Sequence, residues 1–91
     1  MLRISENGSS DEYTILRLEG QMAGQGVVEV QKVCEQYLAS GRKLTLDLVD
    51  VLFVDRSGVA LLQDLMRRQV AVANCSPFLT EQLKEAFSPE S

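Results

Sequence analysis

Histidine and tryptophan are both missing from the 91 residues, and the first absence removes the most chemistry. Without an imidazole there is no Ser-His or Cys-His pair, no side chain whose ordinary titration falls near neutrality, and no His metal ligand. Neither a catalytic centre, a metal nor a cofactor is expected. Cysteine is scarce, with only Cys34 and Cys75, whereas a secreted chain this small more often carries a fuller disulfide set. Residues 1–10 contain Arg3 but no apolar core of a secretory signal, so a cytoplasmic location is expected. Long hydrophobic runs are also lacking. None exceeds four residues, as at Val51–Val54 and Val59–Leu62, against the roughly 20 that cross a bilayer as a helix, so no membrane insertion is expected. Positive charge is in deficit as well. Nine Lys plus Arg face thirteen Asp plus Glu, a net charge of -4, which has the wrong sign for neutralising phosphates. Nucleic acid is not an expected partner.

What remains is 45% hydrophobic and 24% charged, with 6 Gly and 2 Pro, the composition of one ordinary globular domain. The polar run Asn7–Glu12 separates Met1–Ile4 from Tyr13–Gly20 and predicts a hairpin whose second strand ends at Gly20. From Gly26 the period changes. Val27, Val30, Val33 or Cys34, and Tyr37 with Leu38 recur at helical spacing, and Ser40-Gly41 closes that helix. Lys43–Leu48 alternates as a strand and runs into the apolar Val51–Val54, expected to be a buried connection or extension. After Asp55–Gly58 a second helix places Val59, Leu61, Leu62, Leu65 and Met66 inward, and the short run Val70–Ala73 follows it. Ser76-Pro77 opens a last helix with the stripe Phe78, Leu79, Leu83, Ala86 and Phe87. The expected fold is α/β, a small mixed sheet of about four strands with helices packed against it. Residues 1–87 form the domain and 88–91 a frayed tail.

The run from Leu46 to Leu62 contains Asp47-Leu48, then Val51-Leu52-Phe53-Val54-Asp55-Arg56-Ser57-Gly58 and the apolar start of a helix. It resembles the core signature of the STAS family, which includes bacterial anti-sigma-factor antagonists and the tails of sulphate transporters. The resemblance implies the α/β fold above over roughly residues 1–87. It also implies a non-catalytic regulatory module that binds a protein partner, an anti-sigma factor that is also a serine kinase, through Asp55, Arg56, Ser57 and Gly58. In such antagonists the first Ser after the Asp is the phosphoacceptor, and here that position is Arg56. A permanent cation does not imitate a phosphate carrying about -1.5 to -2 charges, so phosphorylation is left with Ser57, displaced by one residue. The alternative is a STAS subunit that docks on the ATPase of a lipid-transport ABC system without phosphorylation.

Each of these residues also has a plainer role. Asp55 and Ser57 either cap a helix or present a loop to a partner. Arg56 is either solvated or the centre of a contact, and Gly58 would let a partner approach closely. Arg67-Arg68 reads as a solvated helix end. Cys75, just ahead of the last helix, either ends a strand or serves as a redox-sensing or nucleophilic thiol in a small enzyme.

Overall fold

Alternation at Thr14, Leu16 and Leu18 on one strand and at Leu44, Leu46 and Leu48 on another builds the centre of the fold. In the computed structural model, which describes residues 2–87 apart from the side chains of 84–87, these six residues are at most 3% exposed. The elements run β1 (Leu2–Ser9), β2 (Tyr13–Met22), α1 (Gln25–Ala39), β3 (Lys43–Val54), α2 (Arg56–Arg67), β4 (Ala71–Ala73) and α3 (Pro77–Phe87). The sheet order is β1-β2-β3-β4, with β1 antiparallel to β2 and the other pairs parallel. The crossovers through α1 and α2 both step the same way along the sheet, which places both helices on one face when the crossovers share a hand. The core agrees. Val27, Val30 and Cys34 of α1, Leu61, Leu62 and Leu65 of α2, and Leu79 and Leu83 of α3 are buried in one cluster with the sheet leucines.

The opposite face of the sheet is open and polar. Arg17 bonds Asp50 there through Nε at 2.9 Å and lies 3.7 Å from Glu19, while Asn74 donates to Asp47 at 2.9 Å. A one-sided sheet of this kind explains the clean alternation in Lys43–Leu48.

Both long helices end in the same way. Gly41 (φ 79°) and Gln69 (φ 71°) are left-handed, and the next residue donates back to a carbonyl in the last turn, Arg42 to Tyr37 and Val70 to Leu65. Arg68 grips Glu35 with two bonds of 2.7 and 2.9 Å, joining α2 to α1. Half of the expected solvated pair Arg67-Arg68 is therefore a tie between helices.

Several expectations change. The second strand does not stop at Gly20 but continues to Met22, because Gly20 adopts φ 102° inside the strand without ending the pairing. The stretch Val51–Val54 is strand, as one of its two readings held, but it is largely not buried. Only Val54, at 7%, is buried, and Leu52 is 82% exposed. Met66 and Phe78, expected inward, are exposed. The tail at Ser88–Ser91 lies outside the described residues, as do the side chains of Ala86 and Phe87.

Candidate functional site

The turns after β2 and β3 meet at the same edge of the sheet, because Met22 and Val54 are register partners at the ends of two parallel strands. Asp55 ties them together. Its backbone N–H donates to the Met22 carbonyl at 3.1 Å. On the carboxylate, Oδ2 accepts from the Gly24 N–H at 3.1 Å, and Oδ1 accepts from the Gly58 N–H and the Ser57 hydroxyl, both at 2.8 Å. With φ -82° and ψ -179°, Asp55 is the N-cap of α2. A carboxylate is suited to this position because it is an acceptor at both oxygens. Its pKa is lowered, first by the Gly58 N–H, then by the Ser57 hydroxyl and the Gly24 N–H, all of which favour the charged form.

Gly58 is buried, and a Cβ added there would lie 2.7 Å from both the Met22 carbonyl oxygen and Val54 Cγ1. The close approach that this glycine permits is therefore made by the chain's own strands. Arg56 and Ser57 are exposed at the start of α2. The Ser57 hydroxyl turns back onto Asp55, while Arg56 has no ion-pair partner among the described residues. The four residues singled out from the sequence thus divide into an internal pair, Asp55 and Gly58, and an outward pair, Arg56 and Ser57.

Beside this turn lies a feature that sequence reasoning missed. The pairing of β2 with β3 matches Arg17 to Asp47 but Glu19 to Asp50, and Gly20 to Val51 but Gln21 to Phe53. Twice, therefore, β3 carries one residue more than its partner. Each such bulge reverses which side chains face the core, and Leu52 is the extra residue of the second. It is 82% exposed, Phe53 is 54% exposed, and Phe78 across a groove on the first turn of α3 is 74% exposed. The available signal was the run Val51–Val54 itself, since four apolar residues in an extended chain cannot all face one core. Gly24 was also missed as a partner of Asp55, and nothing local in the sequence links residues 24 and 55.

Cys75 lies between β4 and α3, ahead of Ser76, whose hydroxyl caps α3 by accepting from the Leu79 N–H at 3.1 Å. Both cysteines are free. Burial pushes the Cys34 thiol up to about 11, with Glu35 adding to the shift. Among the described residues no group of three or more His, Cys, Asp or Glu side chains is placed to hold a metal, and no helix is long and apolar enough to cross a membrane.

Comparison with known proteins returns the same fold. The structure of the anti-sigma factor antagonist SpoIIAA in its unphosphorylated form matches with a TM-score of 0.75 at 19% identity, covering 96% of this chain and 84% of that one. An uncharacterized protein of the DUF3478 family with a SpoIIAA-like fold, from Shewanella loihica PV-4, matches with a TM-score of 0.58 at 14% identity, covering 97% and 80%. At these identities the likeness is one of fold. No curated protein sequence gives a significant match. The family model of the STAS domain matches residues 5–86, which takes in β2, β3 and the Asp55–Gly58 turn between β3 and α2, and the chain belongs to the STAS domain family.

Proposed function

We propose that the protein is a non-catalytic, cytoplasmic regulatory module that works as an anti-sigma-factor antagonist does, by binding a protein partner through the turn Asp55–Gly58. The observation that carries this reading is the division of labour in the turn. Asp55 bonds the Met22 carbonyl, the Gly24 N–H and the Gly58 N–H, Gly58 packs closely against Met22 and Val54, and the turn so held leaves Arg56 exposed and without a carboxylate partner among the described residues. An arginine on a fixed backbone is a good contact residue, because its planar fork makes several directed hydrogen bonds.

Arg56 also favours a second reading. It stands where antagonists of this family carry the phosphoacceptor, so a docking role without phosphorylation, on the ATPase of a lipid-transport ABC system, fits this residue as well. Ser57 is a poor substitute acceptor, since its hydroxyl already donates to Asp55 at 2.8 Å and a phosphate there would set about -1.5 to -2 charges beside that carboxylate. No observation favours an enzyme built on Cys75.

Affinity purification from the native cytoplasm, with mass spectrometry of what is retained, separates the two readings: a kinase-like anti-sigma factor supports the first and a transporter ATPase the second. With the partner in hand, Arg56→Ala should weaken binding by more than about 1 kcal/mol in calorimetry, and Arg67→Ala by much less. Equal affinity of Arg56→Ala and the parent would refute the turn as the contact centre. Incubation with the retained kinase and ATP should leave the intact mass unchanged, and a phosphate on Ser57 would restore a switch of the antagonist kind.

A further inference from the structure

The exposed apolar side chains beside the turn ask for an occupant. Leu52, Phe53 and Phe78 border a groove between the end of β3 and the first turn of α3, with Val54 and Gln82 also lining it, and no charged side chain among the described residues contributes to its wall. Single exposed apolar residues need no explanation, but an aromatic pair and a leucine gathered around one groove mark a contact surface. Leu52 is there because the second bulge in β3 turns it outward, and bulges are common where a strand end is re-aimed beside a functional site.

Of the described charges that adjoin this groove in sequence, Asp50 is paired with Arg17 and Arg56 has no ion-pair partner among the described residues. Arg56 follows Val54 by two residues, so their Cα atoms are at most about 7.6 Å apart, within the length of an arginine side chain. Asp55, between them, has its carboxylate oxygens occupied by Gly24, Ser57 and Gly58. Glu81 is exposed on α3 but does not line the groove.

We infer that the Leu52–Phe53–Phe78 groove and Arg56 form one two-part docking surface for a protein segment that carries an aliphatic or aromatic anchor beside a carboxylate. This rests on the protein-binding reading above and names the partner's chemistry. The anchor fills the groove and the carboxylate meets the guanidinium, for which arginine's fork is suited. The cation thus selects an acidic partner continuously. An anionic membrane is a weaker fit, because a chain of net charge -4 is repelled by such a surface.

Selection of a displayed library of random 16-residue peptides against the folded protein tests this directly. Peptides with Asp or Glu next to an apolar anchor should be enriched. Leu52→Ser and Phe78→Ser, which change exposed positions, should each reduce their capture at least tenfold with unchanged circular dichroism. Arg56→Glu should reduce it as much and turn the enriched charge to Lys or Arg, while Arg67→Ala should leave capture unaltered. Enrichment without acidic residues, no enrichment, or capture indifferent to Leu52 and Phe78 overturns the inference. So does binding to vesicles with one-third phosphatidylserine, or dimerisation in sedimentation velocity, if Leu52→Ser abolishes it. Should peptide capture ignore Arg56 while the native partner still needs it, the two-part surface falls and the turn-centred reading stands. If neither assay depends on Arg56, that reading falls too.

Discussion

The two halves of β3 are both rich in apolar residues and have opposite fates. In Lys43–Leu48 three leucines alternate with polar residues and are at most 3% exposed. In Val49–Val54 five of six residues are Val, Leu or Phe at exposures that leave only Val54 buried, and Val49, Leu52 and Phe53 are each more than half exposed. The register explains the difference. The first half pairs with β2 at a constant offset, from Tyr13 with Lys43 to Arg17 with Asp47, and the second takes in both bulges. A strand held in constant register has its facing chosen by the neighbouring strand. One interrupted by extra residues has its facing chosen by where it must arrive, which here is the Asp55 turn. The first half is therefore packed into the core, and the second presents apolar side chains at the surface.

The sharpest way to break this comparison is to truncate a leucine in each half. Leu46 is fully buried within the core cluster, so Leu46→Ala should cost about 2–5 kcal/mol of unfolding free energy. For a domain whose whole stability is of the order of 5–15 kcal/mol, that is enough to move a urea midpoint far down or to leave the variant partly unfolded. A loss below about 1 kcal/mol would mean that the first half is not the structural half.

Gly58→Ala comes next, since it attacks the place where the presented half is anchored. A Cβ at 2.7 Å from the Met22 carbonyl oxygen and from Val54 Cγ1 forces the start of α2 away from both strands. The expected cost is about 1–3 kcal/mol, the usual penalty for overpacking a well-filled site, read as a lowered thermal midpoint. An unchanged midpoint would show the turn to be loosely held, and a partner would then meet a mobile Arg56 instead of a fixed one.

A smaller effect separates anchoring by shape from anchoring by charge. The Asp55 carboxyl titrates below its ordinary value, because the Gly58 N–H, the Ser57 hydroxyl and the Gly24 N–H all favour the ionised form. A depressed folded value means that Asp55 contributes stability above its unfolded pKa, about 3.9, and that this contribution is lost as pH falls through the lower folded value. In Asp55→Asn the amide must turn its NH2 toward one of these donors, so the variant should be less stable at neutral pH. The gap to the parent should narrow below pH 4. Melting both proteins from pH 7 down to pH 2.5 checks this, and a gap independent of pH would make the carboxylate a cap by shape alone.

The buried half was legible because its signals were local. Two-residue alternation, the Ser40-Gly41 stop and the Ser76-Pro77 start each lie within a few residues, and all appear in the structure. The mixed four-stranded sheet followed from element order. The presented half was legible as a motif and not as a geometry. Asp55 as a cap could be read from its place before a helix, but its bond to Gly24 joins residues 31 apart. The bulges were hidden for a related reason. They exist only as a mismatch between β2 and β3, and neither strand alone records it. Counting apolar residues therefore predicted a buried Val51–Val54, and only the register shows why Leu52 faces outward.

The smallest expected effect on folding belongs to Leu52→Ser, and it bears most directly on the presented half. At 82% exposure the side chain has almost no apolar area removed from water, so replacing it forfeits little transfer free energy. Its polar replacement keeps a hydroxyl in solvent, and the bulge needs an extra residue there, not a leucine in particular. The unfolding free energy should stay within about 0.5 kcal/mol of the parent, as for surface substitutions generally, while solubility rises because the leucine no longer adds to the apolar surface around Phe53 and Phe78. Urea titration alongside Leu46→Ala makes the measurement internal to one strand. A loss comparable to that of Leu46→Ala would mean that Leu52 folds back into the core in solution. The two halves of β3 would then share one role, and the groove beside Arg56 would have no leucine to offer a partner.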